Sequence, residues 1–346
     1  MKILITGNMG YIGPVLTREI RASLPGAEIW GFDSGYFAHC LTNASYLPEC
    51  DIDHQIFGDM REFPVEVLED MDAVVHLGAI SNDPMGNQYE AVTNAINDAA
   101  SKNIAREAKN RGVGRFVFAS SCSMYGQATG EARTETDELN PLTAYARSKV
   151  AMEQELKQLA SENFQVTALR FATACGMSPR LRLDLVLNDF VACALTTGQI
   201  TVLSDGSPWR PLIHVRDMSR AIVWGLGRDV GTDFIAINAG SDQWNYQIRD
   251  LATKVAELVP GTEISINTEA PPDKRSYRVN FSLYARLAPD HQPIVDIDTA
   301  VLELKTGLDA MNFADGNFRE SNYMRLKMLE SHIRNGRLSD DLTWIS

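Results

Sequence analysis

The chain has 346 residues, 45% of them hydrophobic, which is enough for one large α/β domain with a smaller partner and a sizeable core. Its 45 acidic and 32 basic residues give a formal net charge of −13, which argues against sequence-independent binding to nucleic acid or anionic membranes. The five cysteines form no Cys-x-x-Cys pair, so no disulfide framework or metal site is predicted. With no signal-like N-terminal segment, we expect a cytoplasmic protein.

A glycine turn follows the first predicted strand. Lys2 to Thr6 is a short β-branched run typical of a buried strand, and Gly7, Gly10 and Gly13 follow it at spacings of three. Glycines at this spacing permit a tight turn, close approach of backbone N–H groups to a pyrophosphate, and close packing of helix on strand. Pro14 suits the first helical turn. The expected dinucleotide contacts are Gly7, Gly10, Tyr11, Ile12 and Gly13.

The second predicted strand, residues 28–33, ends in an acidic residue. Asp33 lies twenty positions beyond Gly13, where a carboxylate accepts hydrogen bonds from an adenosine ribose. No Lys or Arg occurs between Asp33 and Tyr46 to hold a 2′-phosphate, which favours NAD over NADP. A glycine turn that binds nothing is the alternative, and the acidic residue at this distance weakens it.

Two further strands end in candidate cofactor contacts. A short strand at 55–57 leads to Asp59 and Met60, where Asp59 either faces the adenine or simply caps a helix. The apolar run 72–79 predicts a buried strand, with Leu77 and Ala79 at its carboxyl end beside the cofactor. His76, inside that run, is predicted to be a hydrogen-bonded core residue. The loop after it carries Ser81, Asn82 and Asp83, within reach of substrate and nicotinamide.

The segment 91–111 predicts a long helix closed by Gly112. It has a face of small residues that suits packing on the sheet or on a second subunit, formed by Ala95, Ala99, Ala100, Ile104 and Ala108.

Hydroxyl groups and a tyrosine–lysine pair come next. The strand at 115–119 delivers a serine cluster, residues 120–126, to the sheet edge where this class of fold places its chemistry, although a serine-rich turn is the structural alternative. Tyr145 and Lys149 are one helical turn apart and share a face. A nearby ammonium and a nicotinamide ring favour phenolate, so we expect the pKa of Tyr145 to fall toward neutrality, as a general base requires.

With these features in place, the sequence resembles the extended short-chain dehydrogenase/reductases, in the branch of NAD-dependent nucleotide-sugar epimerases, dehydratases and reductases. TGNMGYIG is similar to the family's TGxxGxxG, SSCSMYG to its serine strand end and YARSK to its Tyr-x-x-x-Lys. The segment from Arg210 to Asp217 is similar to RxxIHVxD, and DKRSY, residues 273–277, to a later motif that binds a nucleotide diphosphate. The resemblance extends over nearly the whole chain.

The resemblance implies roles for individual residues. Ser121 would be the catalytic hydroxyl, Tyr145 the acid/base, and Lys149 the residue that binds ribose and tunes Tyr145. Asn97 resembles an asparagine that opens the family's long helix and Asp59 the acidic residue facing adenine. The expected substrate contacts are Ser81, Ser123, Thr173, Arg210 and Arg275. The resemblance also implies a nucleotide-diphosphate sugar as the partner, and a homodimer for which residues 95–108 offer an interface.

The fold expected is a Rossmann-like, doubly wound parallel sheet with a smaller C-terminal substrate-binding lobe. We predict an NAD-binding domain over 1–175, with returning segments at about 212–240, and a lobe formed mainly by 176–346. In the second half, helices are predicted at 183–196 and 246–258, a strand of the main sheet at 234–238, and a polar helical region from 310 onward.

The leading functional hypothesis is an epimerase that works through a transient 4-keto sugar with tightly bound NAD. An NAD(P)H-dependent reductase of a nucleotide 4-keto-deoxy sugar would use the same residues and stays open. A 4,6-dehydratase is disfavoured because Cys122 and Ser123 stand where those enzymes resemble one another in an Asp-Glu pair. A non-catalytic NAD-binding regulatory protein is the rival of another class, against which the complete Ser121, Tyr145 and Lys149 set argues.

Overall fold

The computed structural model describes residues 1–128, 130–229, 231–270 and 276–345. Strands and helices alternate through most of the chain. Their bounds, in chain order, are β1 (Lys2–Thr6), α1 (Gly13–Ser23), β2 (Glu28–Asp33), β3 (His54–Phe57), β4 (Ala73–His76), α2 (Asp83–Gln88), α3 (Glu90–Thr93), α4 (Ser101–Asn110), β5 (Arg115–Ser121), α5 (Ala144–Leu159), β6 (Gln165–Phe171), β7 (Thr173–Cys175), α6 (Val186–Thr196), β8 (Gln199–Val202), β9 (Trp209–His214), α7 (Val215–Gly227), β10 (Phe234–Ala239), β11 (Asn245–Gln247), α8 (Ile248–Leu258), β12 (Glu263–Ile266), α9 (Ser282–Leu287), α10 (Ile297–Ala310) and α11 (Arg325–Arg334).

The main sheet has seven strands in the order β10, β6, β5, β4, β1, β2, β3, and each neighbouring pair is parallel. Strands β4 and β6 are buried along almost their whole length because helices cover both faces of a parallel sheet. The chain winds outward from β1 in both directions, so a crevice opens beyond the carboxyl ends of β1 and β4. The predicted doubly wound Rossmann-like fold is confirmed.

Two helical layers sandwich this sheet. Leu16 and Ile20 of α1 join α7 in the apolar core on one face. Ile104 and Ala108 of α4 join Met152 and other residues of α5 in the core on the opposite face. Burial of an apolar stripe from each helix against the sheet supplies most of the driving force for this arrangement.

The predicted long helix at 91–111 is interrupted. α3 ends at Thr93, the segment Asn94–Ala100 is a π-helix, and α4 continues from Ser101. Such wide turns are rare and commonly mark functional positions. Here the wide turn carries Asn97, whose amide bonds the backbone of Ile80 beside the crevice.

The second half forms a smaller lobe with its own core. α6, α8 and α10 pack around strands β8 and β12, which pair in parallel. A three-stranded sheet, in the order β11, β9, β7, joins the lobe to the main sheet. Of the predicted returning segments, β10 enters the main sheet as expected, whereas β9 belongs to this small sheet. The division into domains at residue 175 stays a prediction.

The C-terminal region departs from the helix predicted from 310 onward. α10 ends at Ala310, and helix resumes only at Arg325 with α11. The last residues fold back, so that Leu338 and Leu342 are buried against Tyr36 and Ile80 beside the crevice. Every helix in the described part of the chain is too short or too polar to cross a bilayer.

Candidate active site

A cavity of about 910 Å³ lies at the carboxyl ends of the main-sheet strands and extends into the lobe. This is the position at which open α/β sheets bind their ligands, and the volume accommodates a large organic ligand. Sixteen of the predicted site residues line it, and they fall into the groups described below.

The glycine turn forms one wall, through Gly7, Gly10, Tyr11 and Ile12. Gly7 has a φ of +74°, and a Cβ there would lie 2.6 Å from the backbone nitrogen of Gly78, so only glycine fits. No side chain within the described chain caps α1, so the positive end of the helix dipole can attract an anion beside the glycine turn. These features suit a dinucleotide diphosphate.

Gly13 has a packing role. A Cβ at this position would lie 1.8 Å from the carbonyl oxygen of Asn8, so the absence of a side chain lets α1 start directly against the turn. Gly13 therefore lies behind the cavity lining and shapes the turn that the other glycines present. The sequence predicted Gly13 as a direct cofactor contact. In the structure Gly13 lies behind the residues that line the cavity.

Asp33, Asp59 and Met60 line the part of the cavity where the sequence predicts the adenosine of the cofactor. The carboxylate of Asp33 accepts hydrogen bonds from the backbone N–H groups of Met9 (3.0 Å) and Gly35 (2.7 Å). Burial raises the pKa of Asp33, and these two bonds oppose the increase. The Asp33 side chain is thus fixed against the glycine turn, ready to accept from a ribose.

The structure supports the simpler of the two interpretations of Asp59. Its carboxylate accepts from the N–H of Arg61 (2.8 Å), capping the short 3₁₀ turn at 60–62. The same carboxylate also pairs with the guanidinium of Arg61 at 2.5 Å. Asp59 still lines the cavity, but most of its hydrogen-bonding capacity is used by Arg61.

The end of β4 forms the next wall, with Leu77, Ala79 and Ser81 in the lining. Asn97 lies behind this wall: its side chain accepts from the N–H of Ile80 (2.8 Å) and donates to the Ile80 carbonyl (2.9 Å). Asn97 therefore fixes the loop that the cofactor would contact. The sequence predicted instead that Asn97 contacts the cofactor directly. The position of a polar residue on a helix does not show whether its side chain reaches a ligand or only the neighbouring loop.

His76 is the core histidine that the sequence predicted. One ring nitrogen hydrogen-bonds to Thr6 and the other to Ser101, each at 2.9 Å, and the side chain is buried. Burial, helped by the charge of Lys149, lowers the pKa of His76 to about 3. The ring is neutral and structural at physiological pH.

The predicted catalytic residues meet at the centre of the cavity. Ser121 ends β5, and its hydroxyl donates to that of Ser123 at 2.9 Å. α5 begins at Ala144 behind an N-cap by Thr143, which puts Tyr145 and Lys149 on successive turns facing β5. The side chains of Ser121, Ser123, Tyr145 and Lys149 all line the cavity. The Lys149 ammonium lies 5.4 Å from the centre of the Tyr145 ring and donates to the Ala119 carbonyl (2.7 Å).

The electrostatics of this pair differ from the expectation. Burial raises the pKa of Tyr145 to about 12, against a hydrogen bond with Ser121 and the charge of Arg182, which both lower it. Burial also lowers the pKa of Lys149 to about 7, which weakens the ammonium expected to stabilise phenolate. For the polypeptide alone the predicted fall toward neutrality is wrong, because the helical spacing carried no information about desolvation.

A buried ion pair beside Tyr145 was missed. Arg182 and Asp184 form two N–H···O contacts of 2.9 Å. Arg182 also donates to Ser81 (3.1 Å), and Asn82 donates to Asp184 (2.5 Å). Burial opposes the charge on Asp184, but Arg182 outweighs it and the pKa is lowered. The alternation of cations and leucines in RLRLD, directly after a strand, was the available signal.

The lobe contributes Thr173 on β7 and Arg210 on β9 to the lining. Arg210 donates from Nη1 to the carbonyl oxygen of Trp209 at 3.0 Å. This hydrogen bond helps to fix the planar guanidinium on the lobe side of the cavity. Arg275, the other predicted diphosphate contact, lies outside the described residues.

Fold and site together define an α/β protein that binds a dinucleotide beside a serine, tyrosine and lysine set. The chain belongs to the NAD dependent epimerase/dehydratase family, whose model matches residues 3–240. NAD is therefore the cofactor, and the glycine turn, the uncapped start of α1 and Asp33 are the features that fit it.

Similar proteins span several reactions. An uncharacterized UDP-glucose epimerase of Bacillus subtilis is 27% identical over 236 residues, covering 66% of this chain and 73% of its own. UDP-glucuronic acid decarboxylase 1 of Xenopus tropicalis is 25% identical over 305 residues, covering 86% and 69%. The structure of UDP-glucuronic acid 4-epimerase from Bacillus cereus, with UDP-glucuronic acid and NAD, superposes with a TM-score of 0.76 at 21% identity, covering 90% of this chain and all of the other. That structure supports the fold.

Proposed function

We propose that the protein is a nucleotide-sugar epimerase that acts through a transient 4-keto sugar with tightly held NAD. The observation that carries this proposal is the convergence of Ser121, Tyr145 and Lys149 on the cavity whose other end is the glycine turn. A protein that only sensed or stored NAD would need none of these three groups at that position.

Held at the glycine turn and Asp33, NAD would supply reversible hydride acceptance to this site. Tyr145 takes the proton of the sugar hydroxyl as hydride leaves the same carbon, and gives it back when the opposite face is reduced. Ser121 donates a hydrogen bond to the developing carbonyl oxygen. Lys149 would hold the nicotinamide ribose. Ser121 and Arg182 lower the pKa of Tyr145, which favours the phenolate that must be present before Tyr145 can take the sugar proton.

We propose that the nucleotide diphosphate of the substrate binds in the lobe. Arg210 lies in the lining on that side, and a planar guanidinium pairs with two phosphate oxygens at once. Arg275 remains a second predicted contact, and Ser81, Ser123 and Thr173 are the predicted contacts of the sugar.

Elimination of water across C5 and C6 is disfavoured. Cys122 is fully buried and its thiol donates to the backbone carbonyl of Arg170 (3.1 Å), while the hydroxyl of Ser123 is engaged by Ser121. A 4,6-dehydratase requires carboxylates at these two positions, and neither Cys122 nor Ser123 supplies one.

The first test separates an epimerase from a reductase of 4-keto-deoxy sugars. Purified protein is incubated with UDP-, GDP-, CDP- and dTDP-sugars, with no reductant added, and the anomeric proton signals are followed by NMR. An epimerase converts one sugar into its epimer until both are present and leaves the bound NAD unchanged. Turnover that depends on stoichiometric NADH or NADPH would instead identify the reductase.

The second test addresses Tyr145. We expect Tyr145→Phe to lower kcat at least about 100-fold, because it removes the proton-transferring hydroxyl, while the affinity for NAD stays within a factor of a few. Tyr89→Phe is the matched control, since Tyr89 is partly exposed and its hydroxyl contacts Gln88. Unchanged turnover in Tyr145→Phe would remove this residue from the mechanism.

A further inference from the structure

An arginine from the C-terminal region reaches the cofactor cavity. Arg325 is the first residue of α11 and lines the cavity, yet only 2% of it is exposed. Its Nη2 donates to the carbonyl oxygen of Arg180 at 2.7 Å. Its Nη1 has no hydrogen-bond partner within the described chain. A buried guanidinium with an unused donor is costly unless an anion completes it.

The neighbouring carboxylates are committed elsewhere. Arg180 pairs with Glu49 at 2.8 Å, and Arg182 pairs with Asp184 at 2.9 Å. The charge of Arg180 also lowers the pKa of Asp33, and that of Arg325 lowers the pKa of Asp184. Among the described residues, however, no carboxylate accepts a hydrogen bond from Nη1 of Arg325. The other close groups are the Cys40 thiol and the ring of Phe37, whose centre lies 4.5 Å from the Arg325 guanidinium. Neither group carries a negative charge, since burial raises the pKa of the Cys40 thiol.

Arg325 and the glycine turn line the same cavity. The N–H of Arg180 donates to the hydroxyl of Ser178, which in turn donates to the carbonyl oxygen of Tyr11 in that turn. Phe37, beneath the guanidinium, follows Asp33 by four residues and also lines the cavity. Arg325 and Phe37 therefore belong to the same cavity wall as the loop after β2, close to the glycine turn where a doubly wound fold holds a dinucleotide diphosphate.

We propose that Arg325 binds the diphosphate of NAD together with the glycine turn, so that the C-terminal segment becomes part of the cofactor site. Two phosphate oxygens match the guanidinium fork and would accept a hydrogen bond from the unused Nη1. The role concerns cofactor binding and holds whether the enzyme epimerises or reduces its substrate.

The same segment is attached to the loop after β2 at two further points. The Trp344 indole donates to the Ser34 carbonyl (2.6 Å), and the Tyr36 hydroxyl donates to the Leu342 carbonyl (2.5 Å). Bound diphosphate would thus connect the glycine turn to a segment already fixed over the adenosine end. Release of NAD then requires the Arg325 contact to break, which gives the tight retention that an epimerase of this kind needs.

The test compares ligands with and without phosphate on the full-length, cofactor-free protein. We expect Arg325→Met to weaken binding of NAD and of ADP-ribose about 10- to 100-fold, as loss of a charged hydrogen-bond donor does, and to leave binding of adenosine within twofold. Arg334→Met, at the exposed far end of the same helix, is the matched control and should leave all three affinities unchanged. Titrations followed by calorimetry or ligand NMR supply the constants.

Two outcomes would overturn the proposal: undiminished affinity for ADP-ribose in Arg325→Met, or an equal loss for adenosine, which would mean a structural role alone. Should the methionine variant fail to fold, Arg325→Lys retains the charge but not the fork, and we expect severalfold weaker ADP-ribose binding. Hydrogen exchange on the unmodified protein gives an independent check, because ADP-ribose should slow exchange in α11 more than adenosine does. Equal exchange with both ligands would also contradict the proposal.

Discussion

At the scale of single residues, desolvation dominates the chemistry of the site. Lys149 is 4% exposed and its ammonium has one backbone carbonyl, that of Ala119, as a close acceptor. Burial lowers its pKa from 10.5 to about 7, with Glu153 acting in the opposite direction. The ammonium is therefore held near its own titration point, where a bound nucleotide can change its protonation.

This shift predicts how stability depends on pH. Between about pH 7 and 10.5 the unfolded chain holds a proton on Lys149 that the folded protein has lost, so raising the pH in this window stabilises the fold. We expect the free energy of unfolding, relative to Lys149→Met, to rise by up to about 1 kcal/mol per pH unit from pH 7 to 9. Urea unfolding of both cofactor-free proteins measures it, and parallel pH curves would refute the shift.

At the scale of elements, a buried ion pair connects two elements of the main domain. Arg170 on β6 and Glu153 on α5 approach to 2.7 Å, and each side chain is 7% exposed. Ser120 on β5 donates to Glu153 (2.6 Å), and Arg170 also donates to Tyr125 (3.0 Å). This network fixes α5, and therefore Tyr145 and Lys149, against the two central strands.

Replacing Arg170 alone should lower the free energy of unfolding more than replacing both Arg170 and Glu153. We expect Arg170→Met to lower the free energy of unfolding by about 3–5 kcal/mol, because the Glu153 carboxylate loses its countercharge, and Glu153→Met with Arg170→Met to recover part of that loss. The exposed pair Arg147 and Glu90, at 2.9 Å, is the control: Arg147→Met should change stability by less than about 1 kcal/mol. Denaturant titrations measure all three, and a double variant no better than the single one would contradict the argument.

At the scale of the whole molecule, burial narrows the surface that is available for the predicted homodimer. Of the small-residue face, Ala100, Ile104 and Ala108 are buried against the sheet, whereas Ala99 is exposed and Ala95 partly so. Of this face, Ala95 and Ala99 therefore remain available to a second subunit. Their small side chains permit close approach of the two backbones.

We expect sedimentation equilibrium at micromolar concentration to give twice the 38.3 kDa chain mass. Ala99→Arg should shift the equilibrium toward single chains by placing a long charged side chain in the contact, whereas Ala99→Ser, of similar size, should not. A single-chain mass for the natural protein at every concentration would show that the dimer prediction is wrong.

The amino-acid sequence by itself determined the features that lie within one strand or one turn. The glycine spacing, the strand ending in Asp33 and the helical separation of Tyr145 and Lys149 follow from local backbone geometry, so they were predictable with the fold class. Tertiary structure decided the rest. It buried Tyr145, which raised its pKa; it turned Asn97 toward Ile80; and it brought the Arg182–Asp184 pair and Arg325 to a cavity whose glycine turn lies more than 160 residues earlier in the chain. Burial and contacts between distant segments depend on how every element packs, and no local pattern encodes that.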